Sequence, residues 1–245
     1  MKSSVKSAAF AGALLGLAAT AQAHQVWIEQ PAGQGAVLRF GEYGENLREV
    51  SPGLLDKFGA PTATLISASG EKTGAGVKTA TGYTLPFTAG ERDAIVAEDP
   101  RYPLSTFKRG DKEVTNRYYP AARWVSDFAP QQPKLALDLV PAGTPGQFKV
   151  FFQGKPLHKA KVALVTQSGW AKEAHADEQG VVTFDMPWKG MYVAEVAHND
   201  PNPGERQGAN GVEKFTAVSY VTSVTYVKRD GVEPLPAGPA AKPNK

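Results

Sequence analysis

The sequence predicts an all-β protein built of two β-sandwich-like parts. Its 25 glycines and 19 prolines are spread along the whole 245 residues, so the chain is punctuated by turns throughout. Its apolar stretches are short, and several alternate apolar with polar residues at the period of a half-buried strand. Helical patterning is scarce. Only Ser51–Phe58 fits a short helix, with Ser51 as N-cap and Pro52 in the first helical position.

The opening residues come before any of this. MKSSVKSAAFAGALLGLAATAQA has a basic start at Lys2 and Lys6, an apolar run from Ala8 to Ala19, and the small-x-small site Ala21-Gln22-Ala23. This is the pattern of a secretory signal peptide over 1–23, too short to anchor the chain in a bilayer. The expected product is periplasmic and begins at His24.

A first, β-rich part is then read over 24–140. Its strands are expected at Val26–Glu29, Ala36–Phe40, Thr62–Ser67, Gly82–Phe87, Ala94–Ala97 and Leu135–Val140. The turn-rich run Val140–Gly146 is the expected boundary. A second part over 141–232 carries strands at Phe148–Phe152, Lys161–Thr166, Val181–Phe184, Met191–His198 and Ser219–Val227. Glu233–Lys245, rich in Pro, Ala and Lys with almost no hydrophobic content, reads as a disordered tail.

The second part has its own local grammar. Gly154-Lys155-Pro156-Leu157 leads into Lys161–Thr166, and Asp177–Gly180 is a tight turn between strands. Gly190-Met191-Tyr192 then opens a long strand. Successive hairpins of this kind make a small antiparallel sandwich, and the pattern resembles immunoglobulin-like and transthyretin-like accessory modules. That resemblance implies a fold and leaves the activity open.

Composition removes several function classes. There is no cysteine, which excludes disulfides, thiolate metal sites and cysteine nucleophiles. Loss of Lys2 and Lys6 with the signal lowers the formal charge from +3 to +1, and no basic run follows, so nucleic acid is not an expected partner. Nothing after residue 23 is apolar for long enough to be a transmembrane helix. No GxSxG elbow or phosphate-binding glycine loop is present, and no enzymatic activity is assigned.

The remaining chemistry centres on four histidines. After cleavage, His24 would carry a free α-amine beside its imidazole, and the two can chelate one metal ion. His158 reads as an exposed loop residue. Alternation places Glu173, His175 and Asp177 on one strand face. His198 ends a strand shortly before Asp200. In Phe40-Gly41-Glu42-Tyr43-Gly44-Glu45-Asn46-Leu47-Arg48-Glu49, Glu42 and Glu45 could bring carboxylates to the N-terminal strand, although a charged hairpin loop is the favoured reading of this run.

Taken in order, His24-Gln25-Val26-Trp27-Ile28, Phe40–Glu49, Leu137-Asp138-Leu139-Val140-Pro141, Gly154-Lys155-Pro156-Leu157, Asp177–Gly180, Gly190-Met191-Tyr192, Ala197-His198 and Tyr220–Val227 resemble one family across essentially the whole mature chain. That family is domain of unknown function 4198, exported proteins often labelled periplasmic components of cobalt or nickel uptake systems. The resemblance implies a divalent transition metal as ligand, nickel or cobalt, with copper favoured on affinity alone. It implies His24 and His198 as metal ligands and a membrane-embedded uptake system as partner; His175, Asp177 and Asp200, read from their positions in this chain, stand in reserve. Two other readings stay open: a non-catalytic β-sandwich module holding a protein or glycan, and a copper enzyme using His24 as a histidine brace for oxidative chemistry.

Overall fold

The computed structural model describes residues 24–31 and 33–244, so the expected signal peptide lies outside the described residues. The described chain is all β. Its one helical element is a single 3-10 turn, Leu54–Lys57. The short helix expected over Ser51–Phe58 is reduced to this turn because Gly53 sits at φ 153°, outside helical space. Ser51 instead donates its hydroxyl to Asp56.

Nine strands form one large sheet, running Ala171–His175, Lys161–Thr166, Gly190–Asp200, Ala217–Lys228, Lys112–Val125, Ala94–Glu98, Thr62–Ser67 and Gly70–Ala75, with Leu104–Arg109 beside the first half of Lys112–Val125. The sheet is antiparallel except where Lys112–Val125 lies parallel to Ala217–Lys228. A second sheet joins Gln25–Glu29, Val37–Glu42, Gly82–Thr84 and Val77–Thr79, with Leu47–Arg48 on Val37–Glu42. A third holds Leu137–Pro141, Gln147–Phe152, Lys155–Pro156 and Val181–Thr183.

The large sheet is the middle of three layers, and adjacent residues on one strand prove it. Thr222 donates its hydroxyl to the Leu137 carbonyl in the third sheet at 2.8 Å, while Ser223 donates to the Val26 carbonyl in the second at 2.6 Å. Successive side chains of a strand point to opposite faces, so the two flanking sheets cover opposite faces. One core therefore packs Tyr192, Ala194, Val196 and Val224 against Leu137, Leu139, Phe148 and Val150. The other packs Ile95, Ala97, Ala122 and Trp124 against Val26, Ile28, Leu38 and Phe40. The two sandwiches share a sheet.

This sharing relocates the expected boundary at 140/141. The central sheet draws strands from both sides of it, and Ala142–Gly146 is the turn of a hairpin between Leu137–Pro141 and Gln147–Phe152, closed by Ala142 N–H to the Gln147 carbonyl at 3.0 Å. The two flanking sheets are pinned to the centre by buried groups as well as apolar ones. Arg123 on the central sheet makes a bidentate pair with Asp138 of the third sheet, at 3.0 and 2.5 Å, and both side chains are fully buried.

Glu233–Asn244 takes no regular structure, yet it is not detached. Asn46 donates its side-chain amide to the Gly238 carbonyl at 2.8 Å, and Ala241 N–H donates to the Asn46 carbonyl at 3.3 Å. A disordered tail was expected because the segment has almost no hydrophobic content. What holds it is polar. Among the described residues, no helix is long and apolar enough to cross a membrane.

Candidate functional site

Strand pairing brings one histidine and two carboxylates together at the start of the second sheet. Gln25 pairs with Gly41, which sets His24 beside Glu42. The chain then turns through residues 43–46, with Glu45 N–H donating to the Glu42 carbonyl and Asn46 N–H to that of Tyr43. It returns as Leu47–Arg48, and Glu49 N–H donates to the Phe40 carbonyl at 2.8 Å. This close return needs a glycine at position 41. Gly41 has φ 144°, and a Cβ there would sit 2.3 Å from the Leu47 carbonyl oxygen.

The resulting geometry is specific. His24 Nε2 lies 2.6 Å from Glu49 Oε1, and Nδ1 lies 3.3 Å from Glu42 Oε1. The Glu49 side chain is fully buried, while His24 and Glu42 are each 21% exposed. Among the described residues, no lysine or arginine forms an ion pair with Glu42 or Glu49. Asn244 completes the surroundings of Glu49: its side-chain amide donates to Oε1 at 2.8 Å and its backbone N–H to Oε2 at 3.1 Å.

These contacts assign the ring's tautomer. The Glu49 carboxylate only accepts, so at 2.6 Å the hydrogen bond assigns a hydrogen to Nε2, donated to Glu49 Oε1. Nδ1 then faces the Glu42 carboxylate. Two lone-pair groups can share that gap only through a cation, either a proton or a metal ion.

An aromatic wall backs the histidine. Phe40 lies 5.1 Å from the imidazole and packs edge-on to Phe58, while Tyr102 packs between Phe58 and Tyr118. Tyr118 donates its hydroxyl to the His24 carbonyl at 2.5 Å, fixing the backbone of that residue. Burial pushes the Tyr102 phenol up to about 12, helped by the nearby negative Glu49 and Asp99, and burial also raises Tyr118. Next to Gln25, which donates to it at 2.5 Å, burial pushes Glu195 up to about 8, so that carboxyl keeps its proton at neutral pH.

The other sequence-predicted ligands lie elsewhere. His198 shares the central strand Gly190–Asp200 with Glu195 but points to the opposite face, where its ring meets Phe152 at 4.4 Å. It does not join His24. His175 ends an exposed edge strand. Asp177 lies beyond that strand and turns its carboxylate onto the N–H groups of Gln179 and Val181, at 2.9 and 2.8 Å, as a turn aspartate does. Asp200 accepts from Asn202. His158 is exposed, as expected. Among the described residues, no group of three or more His, Asp or Glu side chains is arranged to hold a metal ion by itself.

Sequence reasoning weighed Glu42 and Glu45. The structure places Glu42 at the histidine, leaves Glu45 exposed, and uses Glu49 instead. Glu49 and Asn244 carried no sequence signal, because each reaches His24 only through a return of the chain. Residues 126–200 match the family model of DUF4198, a domain of unknown function. The match covers the third sheet and the central-sheet strands Lys161–Thr166, Ala171–His175 and Gly190–Asp200, and the His24 hairpin lies outside it. A search of curated proteins returns no match.

Proposed function

We propose that this DUF4198-bearing chain, once processed to begin at His24, binds a divalent transition metal in the periplasm as a soluble accessory to metal uptake. The observation that carries the reading is the Glu49–His24–Glu42 row: a fully buried carboxylate holding Nε2–H at 2.6 Å while Nδ1 faces a second carboxylate at 3.3 Å. Metal-bound histidines characteristically donate their other ring N–H to a carboxylate, which fixes the ring and raises its basicity. Glu49 has that position. His24 would contribute its α-amine and Nδ1 to the same ion, and Glu42 an oxygen. The amine explains how a site can exist where side chains alone do not enclose one.

Amine, imidazole and carboxylate donors suit nickel, cobalt, copper and zinc. Nickel or cobalt is preferred here because the sequence resembles a family labelled for their uptake, and a membrane-embedded uptake system is the proposed recipient. His198, His175, Asp177 and Asp200 drop out of the ligand set.

Calorimetric titration of nickel, cobalt and copper into the chain beginning at His24 tests this. His24→Ala and Glu42→Gln should each weaken binding at least about tenfold, roughly 1.4 kcal/mol. His198→Ala and His158→Ala should leave it unchanged. Equal binding by all five proteins, or none below millimolar metal, would remove the metal reading.

A further inference from the structure

The segment Glu233–Asn244 runs from Val232, which bridges Trp188 just before the central strand Gly190–Asp200, to the proposed metal site. Every residue from Gly231 to Ala240 is exposed, so the segment gains almost nothing from burial. Its attachments are few and polar: Lys189 pairs with Glu233 at 2.5 Å, Asn46 donates to Gly238, Ala241 donates to Asn46, and Asn244 reaches Glu49. The last of these is the densest. Asn244 gives Glu49 its side-chain amide at 2.8 Å and its backbone N–H at 3.1 Å to Oε2 and 3.3 Å to Oε1. Apart from His24 Nε2–H, no other side chain among the described residues hydrogen-bonds that carboxylate.

We infer that Asn244 is a positioning residue of the His24 site, and that the Glu233–Asn244 segment is a strap closing the back of it. The inference rests on the metal reading above and adds to it a part that no sequence motif marks. A buried carboxylate is costly unless its lone pairs are filled. Asn244 fills the oxygen sites that His24 does not, and so holds Glu49 in the one orientation that accepts Nε2–H. With Asn244 gone, water enters, Glu49 gains alternative rotamers, and the imidazole loses its fixed tautomer. Partners of this kind typically change metal affinity by about 10–100-fold.

The direction of coupling distinguishes a strap from a plug. Asn244 touches Glu49, on the side of the ring away from Nδ1 and Glu42, so strap and metal do not compete for the same atoms. Binding linkage is reciprocal. If the strap aids metal binding, metal must tighten the strap. A plug would give the opposite sign.

Three proteins test this: the chain beginning at His24, its Asn244→Ala variant, and a form ending at Val232. Circular dichroism verifies that each is folded. Without metal, nitrogen shifts of the His24 imidazole should report a fixed hydrogen on Nε2 in the parent and exchange of that hydrogen between Nε2 and Nδ1 in both variants. Nickel titration should give affinities at least about tenfold weaker in both variants. Hydrogen exchange at the Ala241 and Asn244 backbone amides, which donate to the Asn46 carbonyl and to Glu49, should slow when nickel is added to the parent. Unchanged imidazole shifts and affinity in Asn244→Ala would overturn the strap while leaving the metal reading intact. Faster exchange with nickel, or tighter binding by the truncated form, would make the segment a plug. If the parent binds no nickel, cobalt or copper, the metal reading fails, and the metal-free shifts still decide whether Asn244 orients the ring.

Discussion

Removing the carboxylate of Asp138 should cost far more than an ordinary substitution, because the Arg123–Asp138 pair is the polar pin between the central and third sheets. Both side chains are fully buried, and the pair is bidentate. Asp138 also accepts from the backbone N–H groups of Lys134 and Leu135, at 2.7 and 3.1 Å, and Arg123 donates a further hydrogen bond to Gln131 at 2.7 Å. Asp138→Leu therefore leaves a buried guanidinium without its counter-charge, about 3–5 kcal/mol, and orphans two backbone donors at about 1–3 kcal/mol each where water cannot reach them. Water admitted near Lys134 offsets part of the second cost, so about 4–5 kcal/mol is expected. For a chain of this size that lowers the melting temperature by roughly 10–15 °C. The assay is urea unfolding of the parent, Arg123→Met, Asp138→Leu and the double variant. Arg123→Met plus Asp138→Leu should lose less than the sum of the singles by at least about 2 kcal/mol, since the second change removes a charge the first has stranded. Single losses below about 1 kcal/mol, or additive losses, would refute a buried pin and with it the placement of the third sheet on this face.

Two further perturbations follow from the site. Folded Glu195 keeps its proton to about pH 8, whereas its unperturbed value is 4.5, so between those values the folded chain binds more protons than the unfolded one. Stability should therefore fall as pH rises across that window, by at most about 1.4 kcal/mol per pH unit, and Glu195→Gln should abolish the slope, matching the parent near pH 4.5 and exceeding it at pH 8. Parallel stability curves for the two proteins would show that Glu195 is not buried. Gly41→Ala should destabilise by at least about 2 kcal/mol, since the left-handed φ and the approach to Leu47 both exclude a side chain, and should weaken metal binding by displacing Glu49; a neutral effect on chemical denaturation would contradict the hairpin geometry.

The strand inventory was legible where burial is one-sided. Lys161–Thr166 announces itself by alternation, and the Asp177–Gly180 turn is built as its residues require. Lys112–Val125 went unread. It carries charge along its first half and a proline in its middle, and a proline argues against a central strand. Pro120 is tolerated because it falls between two partners on one edge: Arg117 still pairs with Leu104, and Ala121 begins the pairing with Glu98. The missing donor lies in that gap. The shared sheet was hidden for a different reason. Its parallel joint, Asn116 beside Ala217 through Val125 beside Tyr226, links segments about a hundred residues apart, and no local pattern encodes such a pairing.

The site was half legible. The imidazole of His24 was singled out through the expected cleavage site, and Glu42 through the unusual glycine-rich hairpin. His198 looked equivalent to His24 because both are histidines beside β-strands, but strand alternation turns it to the other side of the sheet. Glu49 sits in a charged run that reads as solvated surface, and its contacts with His24 and Asn244 depend on returns of the chain that no local pattern encodes.

The most direct test of the account is nickel and cobalt titration of two proteins that differ by one residue: the chain beginning at His24, and the same chain with a single alanine placed before it. Every side chain is retained, and only the α-amine of His24 is converted to a peptide nitrogen. The account predicts submicromolar binding by the first and at least about a hundredfold weaker binding by the second, or about 2.7 kcal/mol. Equal affinity of the two proteins would contradict the central claim that the amino group of His24 is a metal ligand.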